Sequence, residues 1–342
     1  MTGPPNYDAI LIVSFGGPDG PDDVLPFLEN VLKGRRVPRE RMLEVAGHYH
    51  HFGGVSPINS QNRALIAALV EELNSHGPQL PVYWGNRNWH PLLPDAIRQM
   101  AEDGIQHALA FVTSPYSSHS SCRQYLENIN GARLQVGDAA PKIDKLRAFY
   151  NHPGFIDAIV DRVREALNHL PSSETNEAQF FFTAHSIPIA MAKNCQYVAQ
   201  LEEACRLAAE GAGIKNWQLA YQSRSGPPTQ PWLEPDICDV IRHTGQAEAR
   251  DIVVVPIGFI ADHMEVIYDL DVEVQEVCDE RGLNMVRAST VGTHPRFVRM
   301  IRELILERVD STSPRLAVGS NEPSHDVCPT DCCAYQPSRH SK

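Results

Sequence analysis

Several features that define large classes of proteins are missing from this sequence. No stretch approaches the roughly 18 consecutive apolar residues that a membrane-spanning helix needs. The opening residues, MTGPPNYDAILIVSF, lack the basic segment and apolar core of a secretory signal. Basic residues are scarce, 30 against 42 acidic ones, and a net charge of −12 disfavours non-specific nucleic-acid binding. We therefore expect an acidic, monomeric cytoplasmic protein without a membrane span.

Eight cysteines are present, but without an export signal they indicate a reducing compartment and not a disulfide framework. Three of them, Cys328, Cys332 and Cys333, stand together in the polar segment V-C-P-T-D-C-C-A-Y. Such a group predicts zinc, an iron–sulfur cluster or free oxidisable thiols, and a metal would need a fourth ligand. The remaining cysteines are all distant in sequence: Cys122, Cys195, Cys205, Cys238 and Cys278.

Short β-rich runs alternate with longer helical patterns along the chain. The predicted strands are Ala9–Phe15, Pro81–Gly85, His107–Thr113, Gln179–Thr183, Gln218–Gln222 and Asp251–Ile257. The predicted helices are Arg63–Asn74, Pro94–Glu102, Gly154–Leu170, Val198–Ala212, Pro235–His243 and Pro295–Val309. This alternation with buried strands predicts an α/β protein with parallel sheets.

The two halves of the chain echo each other at nearly constant offsets. L-P-D-A-I at Leu93–Ile97 resembles E-P-D-I at Glu234–Ile237, and H-P-G-F at His152–Phe155 resembles H-P-R-F at His294–Phe297. A repeat of this kind predicts two similar α/β domains.

We place the first domain at residues 1–148 and the second at 149–314. The first half carries extra residues between its first two strands, which predicts a lid or ligand-binding insertion at about 30–60. The polar, Ser- and Pro-containing residues 315–342 are predicted to form a tail.

An acidic stripe follows the apolar strand Ile252–Val255. Asp262 stands three residues before Glu265, the spacing of a capping box that begins a helix. Along that helix Glu265, Asp269 and Glu273 recur at i, i+4 and i+8 and would share one side. The stripe is either a solvated face or a set of cation ligands, and its place after a strand favours ligand binding.

His185 directly follows the aromatic strand residues Phe180–Phe182, in T-A-H-S-I-P. A lone histidine is more often a satisfied core group, but this one lies at the carboxyl end of a strand. The repeat places it on the first strand of the second domain, with Glu265 just past the third, so the two side chains could converge. A neutral imidazole and a carboxylate suit Fe²⁺ or a similar divalent ion.

Three segments of the first half carry further candidates. The turn S-F-G-G-P-D-G matches neither a dinucleotide fingerprint nor a P-loop, and is predicted to expose Phe15. G-G-V-S-P offers the Ser56 hydroxyl beside His48 and Tyr49, which could line a flat aromatic ligand. Tyr125 falls on a helix after Y-S-S-H-S-S-C-R-Q and could face a cleft.

Together these segments resemble the ferrochelatase family, whose members insert ferrous iron into a porphyrin. The matching stretches are S-F-G-G-P, G-G-V-S-P, T-A-H-S-I-P, P-W-L-E-P-D and I-G-F-I-A-D-H-M-E-V-I-Y-D-L-D, spanning about residues 7–310. The resemblance implies two Rossmann-like domains with the porphyrin in the cleft between them. It also implies that His185 and Glu265 are the catalytic and metal-site residues, with Asp269 and Glu273 as acids behind them.

The resemblance also implies a set of substrate-binding residues: Ser56, Tyr125, His48, Tyr49 and Phe15. Some bacterial relatives have Tyr at the position of Phe15, and Phe cannot ligate product iron. The segment Lys33–His51 is basic and polar rather than apolar. This favours coproporphyrin III, whose four propionates suit Lys33, Arg35 and Arg36.

Some relatives bind a [2Fe-2S] cluster near the C-terminus, which would be the role of Cys328, Cys332 and Cys333. One ligand is expected from the chain's interior, between Cys122 and Cys195, where this sequence has no cysteine. The fourth ligand is therefore unidentified.

The predicted activity is that of a lyase inserting Fe²⁺ into coproporphyrin III in haem biosynthesis. Alternatives within the chelatases are a protoporphyrin IX ferrochelatase and a cobalt or nickel chelatase acting on a precorrin-type ring. Outside them, a nucleotide-binding oxidoreductase would explain the α/β pattern but not the acidic stripe. A haem or iron–sulfur sensor would use the cleft and the tail.

Overall fold

Two parallel four-stranded sheets form the frame of the protein in the computed structural model, which describes residues 6–34, 37–170, 178–227, 229–244 and 250–335. The first sheet contains β1 (Ala9–Ser14), β2 (Val82–Asn86), β3 (His107–Val112) and β4 (Lys142–Lys145), in the order β2-β1-β3-β4. The second contains β5 (Gln179–His185), β6 (Trp217–Gln222), β7 (Asp251–Val255) and β8 (Asn284–Arg287), in the order β6-β5-β7-β8. The identical order confirms the two-fold repeat of an α/β unit.

Helices cover the faces of both sheets. Those of the first half are α1 (Val24–Leu32), α2 (Arg39–His51), α3 (Ile58–His76), α4 (Leu93–Glu102) and α5 (Gln124–Val136). Those of the second half are α6 (Pro153–Leu167), α7 (Ile189–Ala192), α8 (Tyr197–Ala212), α9 (Ile237–His243), α10 (Met264–Tyr268), α11 (Gln275–Arg281) and α12 (Pro295–Val309). Two π-helical turns, His119–Arg123 and Asp269–Val274, lead into α5 and join α10 to α11.

The six predicted strands are all present, with ends shifted by a few residues at most. The missed strands, β4 and β8, are short edge strands with the sequences KIDK and NMVR, which give little apolar signal. The predicted insertion at about 30–60 contains α2 together with the end of α1 and the first residues of α3. Its role as a lid stays a prediction.

One hydrophobic core joins the two halves. Its largest cluster includes Ile12 and Phe111 from the first sheet and Phe182 and Val255 from the second. Helix α12 crosses back to pack on α3 as well as on α6. The domain bounds at 148 and 314 remain predictions, because these shared contacts cross both.

A buried ion pair holds the start of the tail against the rest of the protein. The guanidinium of Arg147 pairs with the Glu307 carboxylate at 2.7 Å, and their side chains are 1% and 2% exposed. Arg147 also donates to the carbonyl of Leu316 at 2.8 Å. Residues 310–335 contain no helix or strand but run along the protein, with Val318 N donating to Asn151 O at 2.8 Å. The predicted tail also includes 336–342, which lie outside the described residues.

Within the described ranges, no helix combines the length and hydropathy that crossing a bilayer would require.

Candidate active site and a cysteine cluster

His185 and Glu265 meet at the carboxyl edge of the second sheet. Strand β5, which ends at His185, is paired with β7, and the chain leaving β7 carries Glu265. The imidazole Nε2 lies 3.5 Å from the carboxylate Oε1. The other ring nitrogen, Nδ1, donates to the carbonyl oxygen of Ser186. The convergence expected from strand order is therefore present, with Nε2 as the nitrogen that faces the acid.

The loop between β7 and α10 passes close to β5 because Gly258 has no side chain. A Cβ at Gly258 would lie 2.7 Å from Ala184, and its N–H donates to Thr183 O at 2.9 Å. The start of the helix differs from the sequence expectation. Its N-cap is His263, whose ring accepts from Glu265 N at 3.2 Å, and not Asp262. The Asp262 carboxylate instead accepts from Arg287 at 3.2 Å, which draws it away from the helix start.

The proximity of the two groups changes both titrations. Burial lowers the pKa of His185, but the Glu265 carboxylate and the Ser186 carbonyl outweigh it and raise the value to about 9. Burial raises the pKa of Glu265, but the imidazole outweighs it and lowers the value to about 2. At neutral pH the pair is therefore an imidazolium and a carboxylate, whereas a neutral imidazole was predicted from the sequence.

The acidic stripe continues behind Glu265 into a cavity of about 310 Å³. Burial, with added repulsion from Glu265 and Glu273, raises the pKa of Asp269 to about 7, although the Ser223 hydroxyl donates to its carboxylate and opposes the rise. Burial and neighbouring acids also raise the pKa of Glu273. The cavity is lined by Gln222, Ser223, Asp236, Ile237, Cys238, Arg242, Asp269, Glu273, Glu276, Val277 and Glu280.

Helix α2 of the predicted insertion packs on the short helix that carries Glu265. The ring of His48 stacks on Tyr268 with centroids 3.8 Å apart and planes 7° apart. Tyr49 is 9% exposed and packs edge-on against Phe27. Burial, with the nearby Glu265 carboxylate, raises the pKa of the Tyr49 hydroxyl. Both predicted residues thus lie beside the Glu265 helix, His48 at its surface and Tyr49 on the buried face of α2.

Phe15 and Tyr125 lie on either side of Arg87, a residue that the sequence reading did not select. The Arg87 guanidinium carbon lies 5.6 Å from the centre of the Phe15 ring and 4.4 Å from that of Tyr125. Its Nε donates to Asn128 Oδ1 at 2.7 Å, which holds the side chain in place. Arg87 directly follows β2, so its place at the carboxyl edge of the sheet was the available signal.

Ser56 lies under the turn that contains Gly17. It is 2% exposed, and a Cβ at Gly17 would meet its hydroxyl oxygen at 2.8 Å. The Ser56 N–H donates to Pro18 O at 2.9 Å, joining the two glycine-containing turns. Lys33 lies at the end of α1, whereas Arg35 and Arg36 fall outside the described residues.

The tail cysteines lie against Cys122, in the π-helical turn before α5. The Cys332 sulfur lies 3.7 Å from that of Cys333 and 3.7 Å from His325 Nε2. Ligand atoms of His325, Cys328 and Cys332 all lie within 4.8 Å of one another. A hydrogen bond with Cys328, helped by Lys145 and opposed by burial, lowers the pKa of the Cys122 thiol. Cys122, which is distant in sequence, is therefore adjacent to the tail cysteines in space.

A family model described as ferrochelatase matches residues 7–309. A protein from Rhodopirellula baltica called ferrochelatase is 56% identical over 336 residues, covering 98% of this chain and 95% of that protein. A coproporphyrin III ferrochelatase from Streptomyces coelicolor is 48% identical over 355 residues, covering 97% of this chain and 95% of that protein.

The fold also resembles solved chelatase structures. The sirohydrochlorin chelatase SirB from Bacillus subtilis subspecies spizizenii, in complex with cobalt, superposes with a TM-score of 0.52 at 14% identity. The match covers 90% of this chain and 96% of that one. At this identity the likeness supports the two-domain fold alone.

Proposed function

The chain belongs to the ferrochelatase family, and we propose that it inserts Fe²⁺ into coproporphyrin III using His185 and Glu265. The observation that carries this proposal is the pairing of His185 Nε2 with Glu265 Oε1 at 3.5 Å, backed by the acidic cavity. Metal insertion must bring a dication to the porphyrin nitrogens and remove two pyrrole protons. An imidazole for the metal and a line of carboxylates for the protons meet both needs.

His185 can serve as a ligand or base only after it loses its own proton. Nδ1 is fixed as a donor to Ser186 O, so Nε2 is the nitrogen that titrates. A divalent cation near the ring disfavours the imidazolium, because like charges repel. We propose that the approach of Fe²⁺ displaces this proton toward Glu265, which frees the Nε2 lone pair in the cleft.

Released protons need an acceptor that is neither too weak nor too strong. Glu265 is a weak base while His185 is an imidazolium, because that cation lowers the pKa of Glu265 to about 2. Asp269, whose pKa is raised to about 7, can both accept and release a proton near neutral pH. Asp269 and Glu273 therefore connect the porphyrin cleft to the acidic cavity, and we assign them proton transfer and cation attraction.

Basic and aromatic groups around the cleft support a carboxylate-rich porphyrin. Arg87, held between Phe15 and Tyr125, places a guanidinium where a propionate could meet it, and Lys33 lies on the lid. Of the relatives described above, the protein from Rhodopirellula baltica is called ferrochelatase, and the one from Streptomyces coelicolor is a coproporphyrin III ferrochelatase. We propose substrate contacts for Phe15, Tyr125, His48 and Tyr49, whereas the buried Ser56 acts indirectly through the turn it supports.

The cysteine site fits an iron–sulfur cluster better than it fits unpaired thiols. Four thiols meet there, from Cys122, Cys328, Cys332 and Cys333, which is the number that a [2Fe-2S] cluster requires. Lys145 lies beside Cys122 and would offset the negative charge of the thiolates. When bound, such a cluster would supply a redox-active centre and a cross-link between the tail and α5.

The activity is tested by anaerobic incubation with Fe²⁺ and either coproporphyrin III or protoporphyrin IX, followed by absorbance. We expect metallation of coproporphyrin III, with rates at least about 100-fold lower for His185→Ala and Glu265→Ala. His243→Ala is the matched control, because that imidazole caps α9 on the protein surface. Metallation of protoporphyrin IX alone would overturn the substrate assignment, and full rates in both active-site variants would overturn the site.

The cluster is tested separately on the anaerobically purified protein. We expect visible charge-transfer bands together with iron and acid-labile sulfide, and a loss of all three in Cys122→Ser. Cys278→Ser is the control, because that buried thiol belongs to the α11 core cluster. A wild-type protein that contains neither iron nor sulfide would refute the cluster.

A further inference from the structure

Arg123 connects the interior of the protein to the tail at the cysteine site. One guanidinium nitrogen, Nη1, donates to Thr330 O at 2.7 Å and to Cys332 O at 2.9 Å. Nε donates to Glu127 Oε1 at 3.0 Å, one turn further along α5. The residue immediately follows Cys122, so the same turn of chain carries a thiol and a side chain that binds the segment with the three tail cysteines.

The segment that Arg123 holds has no regular secondary structure to fix it. Cys333 adopts a φ of 54°, a left-handed conformation that non-glycine residues rarely take. Such a conformation persists only when surrounding contacts determine it. The two carbonyls that Arg123 contacts belong to Cys332, directly before this residue, and to Thr330, three residues before it.

We propose that Arg123 is the positioning residue that assembles the cysteine site, by clamping the Cys328–Cys333 loop onto the turn that bears Cys122. Its guanidinium fixes the backbone on both sides of Asp331 and so aims the sulfurs of the loop at Cys122. Glu127 orients the guanidinium from the opposite side. The inference rests on the proposed metal site at these cysteines, and it does not depend on the porphyrin reaction.

The consequence is a site that is formed before metal arrives. Without the clamp, metal binding would have to order the loop, and the cost would appear as lower affinity. Loss of hydrogen bonds from a charged donor to two carbonyls predicts an affinity about 10- to 100-fold lower. Lysine keeps the charge but offers a single flexible donor group, so Arg123→Lys should fall between wild type and Arg123→Ala.

Co²⁺ titration of the reduced, metal-free full-length protein tests this proposal. Sulfur-to-cobalt charge-transfer absorption reports binding to thiolates, whereas Co²⁺ at His185 and Glu265 gives no such band. Arg133→Ala is the matched control, because Arg133 lies on the same helix and its Nε donates to Pro141 O at 2.7 Å, away from the cysteines. We expect the weakened charge-transfer titration in Arg123→Ala, a smaller effect in Glu127→Gln, and none in Arg133→Ala.

Equal Co²⁺ affinity in wild type and Arg123→Ala would overturn the proposal, as would a wild-type protein without the charge-transfer band. Circular dichroism of the same samples detects misfolding, and porphyrin metallation by them tests the proposed function separately. An Arg123→Ala protein with native ellipticity and weak cobalt binding supports a local clamp. Failure of wild-type metallation with normal cobalt binding would refute the proposed function and leave the clamp standing.

Discussion

Replacing Glu265 with Gln should move the titration of His185 across neutral pH. In the wild type, the carboxylate and the Ser186 carbonyl outweigh burial and raise the pKa of His185 from 6.5 to about 9. The amide is neutral and nearly the same size, so only the weaker effects of the Ser186 carbonyl and Asp269 then oppose burial. We expect the pKa of His185 to fall below 6.5 in Glu265→Gln.

The same change should destabilise the fold over a defined pH range. Because its folded pKa is raised, the contribution of His185 is fully present below 6.5 and is lost as the pH rises through about 9. The contribution of Glu265 is fully present above 4.5 and is lost as the pH falls through about 2. The stabilisation by the pair is therefore greatest between pH 4.5 and 6.5.

The expected loss of stability is modest because the Glu265 carboxylate is partly exposed to solvent. A shift of one pKa unit corresponds to about 1.4 kcal/mol, but the Glu265 side chain is 49% exposed and its field is screened. We expect Glu265→Gln to lower the free energy of unfolding by about 1–2 kcal/mol near pH 6 and by little above pH ~10.

Two measurements check this account. Nitrogen-detected NMR of the histidines gives the pKa of His185, and the signal at Nε2 should titrate while Nδ1 stays protonated. Urea unfolding at several pH values gives the free energy of unfolding. A wild-type His185 pKa near 6.5, or an unchanged value in Glu265→Gln, would refute the ion pair as the cause. Glu210→Gln serves as the control for removing an acid from an exposed ion pair, because Glu210 pairs with Arg206 on the surface of the protein.

Three further predictions follow from the geometry. Asp269→Asn should lower kcat for metallation by about 10- to 100-fold with little change in the KM for porphyrin, because it removes a proton acceptor. Arg87→Leu should raise the KM for coproporphyrin III by about tenfold and affect protoporphyrin IX less, because the former has more carboxylates. Glu307→Gln should lower the free energy of unfolding by about 3–5 kcal/mol, because it leaves the buried Arg147 charge unpaired.

Each of the three has an outcome that contradicts it. An Asp269→Asn enzyme with wild-type kcat would remove Asp269 from the proton path. Equal changes in KM for both porphyrins would show that Arg87 stabilises the walls of the cleft and does not bind the additional carboxylates of coproporphyrin III. For the buried pair, the double variant Arg147→Met/Glu307→Leu should recover most of the lost stability in urea unfolding, and failure to do so would point to packing.

The sequence by itself determined the class of fold and the family. Strands such as Ala9–Ser14 are apolar at nearly every position, because both of their faces are buried, so a continuous hydrophobic run marked them. The motifs around His185 and Glu265 indicated the family. Their positions just after two strands predicted that the two side chains lie at the same edge of a sheet. The edge strands β4 and β8 were not predicted, because a short, half-exposed strand has little apolar pattern in its sequence.

What only the tertiary structure decided is which distant groups meet and what protonation state they take. Cys122 and Cys328 are 206 positions apart, more than half of the chain, and no local pattern links them. Arg87 meets Phe15 and Tyr125 because β1 and β2 end, and α5 begins, close to one another. The cationic state of His185 likewise depends on a carboxylate 3.5 Å away and on burial, neither of which the sequence around the histidine encodes.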